Sequence, residues 1–280
     1  MGTHLERLED NIDLVSKGVL SRRPAGGLWR KQSASVLRDF FFELCDDLSI
    51  DMLIEVGAHE AETSIQYVNQ TGGQAIAFEA NPFTFKNLTS SAAAFGVDVR
   101  NIGVAGVIGH LDMHIPIPKG SKSLTPGRSS FLKRTEDERS EVVSVEVTTL
   151  DAVSAELDPK HAVALWLDVE GLCFQVLSGG LKLLVDEKCQ MVFLEVESMQ
   201  IWEDQSVATD VFGLMADVGF VPVMRDAEFA AQYNVIFVRE SQVHHCSFRV
   251  SDFWEVLANI RINYLSRAGW ELLRTVSRRI

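Results

Sequence analysis

Only four cysteines occur in 280 residues, Cys45, Cys173, Cys189 and Cys246, and they stand far apart with no C-x-x-C pair. That argues against a disulfide framework and against a structural zinc site. The reduced cytosol is the natural compartment for such thiols, so the chain is expected to be cytoplasmic. Basic residues are also short: 26 Lys and Arg against 39 Asp and Glu give a net charge of −13, a field that repels a polyanion and disfavours nucleic acid as a partner. Long apolar runs are missing too. The longest, Ala162 to Leu167, falls far below the roughly 18–20 residues a transmembrane helix needs. The opening MGTHLERLEDN puts charges where a signal peptide needs an apolar core, and Glu6 occupies the position where a myristoylation signal needs Ser or Thr. With seven prolines and no fixed-period repeat, nothing marks a disordered or fibrous chain.

What is present is a globular composition, 46% hydrophobic and 23% charged, long enough for one large domain or two small ones. Apolar residues at three- and four-residue spacing predict helices over 3–17 and 33–49, the second carrying Val36, Leu37, Phe40, Phe41 and Leu44, with a basic turn, SRRPAGG, at 21–27. From Met52 short apolar runs predict strands over 52–56, 75–79, 97–102, 163–168, 190–196, 220–224 and 233–238, most of them separated by helical patterns. This is the signature of parallel βαβ units. The stretch 110–148 interrupts it with HLDMHIPIP, GSKSLTPGRSS, a charged KRTEDERSE and an alternating VVSVEV, which predict an antiparallel or edge-strand excursion with a mobile loop. A last helix over 251–279 carries Phe253, Trp254, Leu257, Ile260, Tyr264 and Leu265 on one stripe, with Arg261, Arg267, Arg274, Arg278 and Arg279 elsewhere. The predicted organisation is a helical extension over 1–50, an α/β domain over 51–240, and a helical extension over 241–280 packed on the same body. The last stripe suits packing within the chain or a homodimer contact better than a membrane surface.

Acids stand at successive strand ends. LIEVGAHEAETS delivers Glu55 and Gly57 to a strand-to-helix turn, where a ligand binds in an open parallel sheet and a glycine lets the backbone come close. The G-x-G-x-x-G fingerprint of a dinucleotide site is missing, because Ala58, His59 and Ala61 follow that single glycine. AIAFEANP ends in Glu79, placed to accept both hydroxyls of a ribose. ALWLDVEG delivers Asp168 and Glu170, and FLEVES adds Glu195 and Glu197, so acids from four strand ends are expected around one rim. Two carboxylates at one strand end can bind a metal, orient a hydroxyl or act as a general base. Asp168 ends the strand itself; Glu170, one step into the turn, could instead cap the following helix. His110 and His114 have a metal-like spacing, but in a strand-like context with no third ligand, so no metal site is predicted.

Glu55-Val-Gly-Ala, FEANP at 78–82, the stretch Asn101 to Gly109, Ser129-Ser130, TTLD at 148–151 and LDVEG with Leu177 and Gly179 resemble, in order, the motifs of the FkbM family of S-adenosylmethionine-dependent O-methyltransferases. The resemblance implies a Rossmann-like class I methyltransferase, a seven-stranded mostly parallel sheet with helices on both faces. It implies S-adenosyl-L-methionine as cofactor, with its methionine end at Glu55 and Gly57, its ribose at Glu79, its adenine near Asn101, and further contacts from Ala58, Ser64 and Ala80. Asp168 and Glu170 would stand where cofactor and acceptor meet, with His59 as a further candidate base. The acceptor would be a hydroxyl of a sugar or glycosylated small molecule. Four positions depart from the family pattern: His59 and Ala61 replace the usual Asn and Gly, Trp166 replaces a Lys, and Cys173 replaces a Glu. Two other readings are a degenerate methyltransferase fold serving as an interaction module, and a nicotinamide oxidoreductase, which the absent glycine fingerprint disfavours.

Overall fold

Short runs of aliphatic residues bounded by glycine and acids extend, and the segments between them wind at helical spacing. In a computed structural model that describes residues 3–19, 27–117, 124–134 and 139–277, these runs form strands β1 (Met52–Val56), β2 (Gln74–Phe78), β3 (Asp98–Arg100), β4 (Gly103–Val104), β5 (Gly109–Ile117), β6 (Arg139–Thr148), β7 (Val163–Leu167), β8 (Cys189–Glu197), β9 (Phe220–Arg225) and β10 (Gln232–Arg239). The helices are α1 (His4–Val19), α2 (Gly27–Asp47), α3 (Glu62–Thr71), α4 (Pro82–Ala93), α5 (Leu150–Ser154), α6 (Cys173–Ser178), α7 (Leu181–Val185), α8 (Ala208–Asp217) and α9 (Val243–Ser277). The main sheet has seven strands in the order β3-β2-β1-β7-β8-β10-β9. It is parallel from β3 to β8, while β10 runs antiparallel to both neighbours. The turn between β9 and β10 is too short for a crossover helix, and a short connection can only reverse the chain.

Alternation along each strand feeds two cores. In β1, Leu53 joins Ala77, Trp166, Phe193 and Ile236 under α2, α3 and α9, whereas Ile54 and Val56 join Phe78, Leu165, Leu167 and Val192 under α5 to α8. All five residues of β1 and of β7 are buried, as expected for parallel strands covered on both faces. Trp166 stacks on Phe193 with ring centroids 3.5 Å apart, and the edge of Phe41 meets it at 5.0 Å. It is a packing residue beneath α2.

The excursion forms a separate three-stranded sheet, β4-β6-β5, in which β5 and β6 pair antiparallel from Gly109↔Val147 to Ile117↔Arg139. Parts of the expected features lie outside the described residues: most of the basic turn at 21–27, the loop over 118–123, the middle of the charged tract at 135–138, and Arg278 and Arg279. Two boundaries are corrected. The second helix begins at Gly27 rather than 33, and the last begins at Val243 rather than 251, because the segment after β10 already meets α2: Cys246 is buried and Arg249 pairs with Glu43 and Asp47, each at 2.7 Å. Among the described residues no helix is long and apolar enough to cross a membrane.

The last helix packs onto the chain's own body. Phe253 and Leu257 are fully buried, Phe253 meets Phe40 at 5.5 Å, and the Trp254 indole N–H donates to the Val223 carbonyl at 3.1 Å; Leu265 is half exposed. Trp254→Ala should therefore destabilise the fold by about 3–5 kcal/mol, the usual cost of truncating a buried aromatic. Denaturant unfolding checks this, and a midpoint equal to wild type would contradict it.

Candidate active site

The strand ends of β1, β2 and β7 are laced together at Gly57. Its N–H and that of Ala58 donate to the Phe78 carbonyl at 3.0 and 2.9 Å, and the Asp168 N–H donates to the Val56 carbonyl at 3.0 Å. Gly57 has φ +82°, and a Cβ there would lie 1.9 Å from the Asp168 carbonyl oxygen. Only glycine fits, for conformation and for space. Beyond this knot opens a cavity of about 340 Å³ walled by Gly57, His59, Glu79, Ala80, Asp168 and Glu170, with Ser129 and Ser130 from the excursion on its far side. That is within the range of small-molecule sites.

Glu79 meets the cavity with its backbone-facing lone pairs already used: His59 N–H donates to Oε2 at 2.8 Å and Asn81 N–H to Oε1 at 2.7 Å. Burial pushes its carboxyl up, and these donors oppose the shift. Each oxygen keeps acceptor capacity for a hydroxyl. His59 is bent into the left-handed region at φ +48°, as is Ala61 at +52°, so the two departures from Asn and Gly fall where a side chain is least at ease. His59 lines the cavity through its side chain while its main chain orients Glu79.

Other residues expected to contact the cofactor lie away from the cavity. Alternation turns Glu55 to the α3 side, where it accepts from the Ser64 N–H at 2.9 Å and the Ser64 hydroxyl at 2.5 Å. It supplies the cap that Ala61, at the N-cap position, lacks, and a carboxylate at a helix N-terminus is favourable. Burial nonetheless lifts its carboxyl to about 7. Neither Glu55, Ser64 nor Ala58 lines the cavity. Asn101 acts at one remove as well: its Nδ2 donates to the Glu79 carbonyl at 2.8 Å and steadies the end of β2.

Asp168 is open to the cavity and enclosed by protein elsewhere; burial raises its carboxyl and the nearby His59 opposes this. Glu170 does not cap α6. It takes φ +45°, its carbonyl accepts from the Ser130 hydroxyl at 2.8 Å, and the N-cap of α6 is Leu172 with no side-chain bond. The next residue, Gly171, is left-handed too, with no room for a Cβ against Trp202. Burial lifts Glu170 to about 7, the Asp168 charge adds to this, and Arg134 and Arg128 oppose it. Behind it on β8, burial and then Asp168 push Glu195 to about 9 and Glu197 to about 7; Gln232 donates to Glu195 at 2.9 Å and Gln205 to Glu197 at 2.7 Å. The expected ring of acids is thus divided: Glu79, Asp168 and Glu170 face the cavity, Glu195 and Glu197 stand behind, and Glu55 faces a helix. Among the described residues no group of three or more His, Cys, Asp or Glu is arranged to hold a metal ion. Arg128, Arg134, Gln205 and Gln232 escaped sequence reasoning, since isolated polar residues far apart in the chain carry no local signal. Asn81 could have been found from Asn-Pro before a helix: it caps α4 and donates to the Ser129 hydroxyl at 3.0 Å.

The model of the FkbM methyltransferase domain matches residues 55–222, more than half of the chain. The chain belongs to the FkbM methyltransferase family. Members of this family use S-adenosylmethionine, which is accordingly the cofactor here. Among solved structures, magnesium protoporphyrin IX methyltransferase from Synechocystis PCC 6803 with bound SAM is 12% identical, over 74% of this chain and 79% of that one, with a TM-score of 0.42. The ribosomal protein L11 methylase of Lactobacillus delbrueckii subsp. bulgaricus is 11% identical, over 68% and 69%, with a TM-score of 0.36. At these values neither bears on this chain's acceptor. No curated protein matches the chain. Within the family frame, Cys173 is a buried packing residue whose thiol donates to the Glu195 carbonyl at 3.1 Å, as Trp166 is beneath α2.

The lifted carboxylates tie stability to pH. A carboxyl whose folded value is raised holds its proton longer in the folded state, so its contribution is complete below the ordinary value near about 4.3 and is lost as pH climbs through the raised one. Stability should fall from pH 5 to 9, through about 7 for Glu170 and Glu197 and about 9 for Glu195. Glu195→Gln, which can still accept from Gln232, should match wild type at pH 5 and melt higher at pH 9. Thermal unfolding across this range decides, and parallel curves would refute the assignment.

Proposed function

We propose that the protein transfers the methyl group of S-adenosylmethionine to a hydroxyl, on a sugar or a glycosylated small molecule as the family resemblance implies. The observation that carries this reading is the placing of Asp168 and Glu170, two carboxylates raised by burial, on the wall of the cavity that Gly57 and Glu79 frame. The cofactor supplies an electrophilic methyl when bound, which leaves the protein to place a hydroxyl in line and take its proton.

The residues present fit that cofactor. Gly57 leaves its backbone bare at the strand crossing, and Glu79 presents acceptor capacity for two ribose hydroxyls from a carboxylate already fixed by His59 and Asn81. Asp168 is the proton acceptor in this reading, because it is open to the cavity and a raised carboxyl is a better base near neutrality than an ordinary one. Glu170, held by Ser130 through its carbonyl, orients the acceptor hydroxyl.

Two measurements test this. Glu79→Ala should weaken S-adenosylhomocysteine binding by roughly 1.5–3 kcal/mol, the range of charge-assisted hydrogen bonds, and Glu79→Gln by less. Calorimetry that finds equal affinities removes the ribose assignment. Asp168→Asn should keep the fold and most of the cofactor affinity while turnover on an accepted glycan falls roughly 10²–10⁴-fold. A wild type that binds S-adenosylmethionine yet methylates nothing in a broad screen of glycans and metabolites, with Asp168→Asn indistinguishable from it, would instead make the fold an interaction module.

A further inference from the structure

Glu170 sits where the backbone least favours it. The Leu172 N–H donates to the Val169 carbonyl at 3.2 Å and closes a four-residue turn whose central residues, Glu170 and Gly171, have φ +45° and +87°. Two positive φ values in succession are those of a type I′ turn, which favours Asn, Asp or Gly at its first central place. Glutamate is strained there, yet from that place it lines the cavity wall. The helix that follows gives no support, since its N-cap, Leu172, makes no side-chain bond.

Support comes from the excursion. The Ser130 hydroxyl donates to the Glu170 carbonyl at 2.8 Å and accepts from the Leu132 N–H at 3.0 Å, so its one proton is committed to Glu170. Ser130 is itself buried and locked to β5: the His114 N–H donates to its carbonyl at 2.8 Å, and its own N–H donates to the His114 carbonyl at 3.1 Å. Its two chain neighbours are docked as well. The Ser129 hydroxyl accepts from Asn81 Nδ2 at 3.0 Å, and the same Asn81 donates its main-chain N–H to Glu79 at 2.7 Å. The Phe131 ring packs on β4 against Gly103, where a Cβ would lie 2.7 Å from it. Three consecutive residues therefore meet the turn after β2, the turn after β7, and β4.

We propose that residues 129–131 are a clamp that fixes the acceptor-side carboxylate, Glu170, relative to the cofactor-side carboxylate, Glu79, with Ser130 as its positioning residue. The inference rests on the reading of the cavity as a hydroxyl methylation site. It gives the small sheet a part in the chemistry. A hydroxyl oriented by Glu170 must lie in line with a methyl group whose ribose is held at Glu79, and in-line transfer tolerates little error in that separation. Without the clamp the two carboxylates ride on separate turns, and relief of the strain at Glu170 lets its side chain leave the wall. Ser130 acts through the Glu170 main chain rather than on the substrate.

An infrared titration of the Glu170 carboxyl tests it, read on the full chain as the difference between each protein and the same protein carrying Glu170→Gln. Burial first, then the Asp168 charge, lift this carboxyl to about 7; Glu197 adds to the shift, and Arg134 and Arg128 oppose it. In Ser130→Ala the midpoint should fall by roughly one unit or more, because a side chain freed from the wall gains water. Ser129→Ala touches neither hydroxyl bond of Ser130 and leaves Asn81 capping α4. It should still shift the midpoint the same way, by less, and it carries the test should Ser130→Ala fail to fold. Calorimetry should find S-adenosylhomocysteine affinity unchanged in both variants. On a glycan that wild type methylates, Ser130→Ala should lower kcat roughly tenfold, the effect of one hydrogen bond, with the KM for S-adenosylmethionine unchanged. The proposal is overturned if Glu170 keeps the wild-type midpoint in either alanine variant, or if the two variants lose cofactor affinity as steeply as turnover. A wild type that binds no S-adenosylhomocysteine, or methylates nothing in the glycan screen, counts against the methyl-transfer reading instead, because the infrared midpoint needs neither cofactor nor acceptor.

Discussion

The site depends on one close approach, that of the Gly57 backbone to the Asp168 carbonyl. Three strand ends converge there because a missing side chain allows it: Gly57 and Ala58 both reach across to the Phe78 carbonyl, and Asp168 reaches back to Val56. Without that approach, β1 could not turn tightly enough to leave a cavity between its end and that of β7. Glu79 is then oriented by the same turn, through the His59 N–H, and Asp168 by the hydrogen bond of its own main chain. A single backbone crossing thus places the carboxylates of two different strands on one wall.

The electrostatics follow from what surrounds that crossing. Burial first, and for Glu170, Glu195 and Glu197 the charge of neighbouring acids second, leaves Asp168 and these three each holding its proton more tightly than a freely solvated carboxyl does. The neighbourhood answers with neutral donors, Gln205 and Gln232, on the β8 side, and with the charges of Arg128 and Arg134 on the side of the excursion. Charge is therefore graded across the site, acidic toward β8 and basic toward the small sheet.

Much of this was legible in the sequence. The seven strands of the main sheet stand within a few residues of where their apolar runs begin and end, and Gly57, Glu79 and Asp168 fall at strand ends, facing the cavity as their positions implied. Glu55 did not, and the reason is physical. A strand buried on both faces shows no alternation of polar and apolar residues, so nothing in MLIEV says which side its one acid takes. The reversed strand β10 and the pairing of β5 with β6 were partly hidden for another reason: strand direction and long-range partners depend on connections, and residues 109 and 147 meet only because the intervening chain folds back. The cations of the excursion are scattered through a polar stretch, and only the fold brings Arg134 over the ring of Trp202, far along the chain.

One feature of the helical layer bears on how the chain is made. Helix α1 rests on α9, and the Arg261 guanidinium reaches the Val15 carbonyl across 246 positions of sequence. On a ribosome adding about 5–20 residues per second, Val15 would emerge roughly 12–50 s before its partner exists. Throughout that interval the apolar side of α1 has no α9 to cover it. Helix α1 is made before the α/β body yet waits for α9 to be covered, and the window in which the nascent chain is open to chaperones or to misassociation is set by the length of the domain between them.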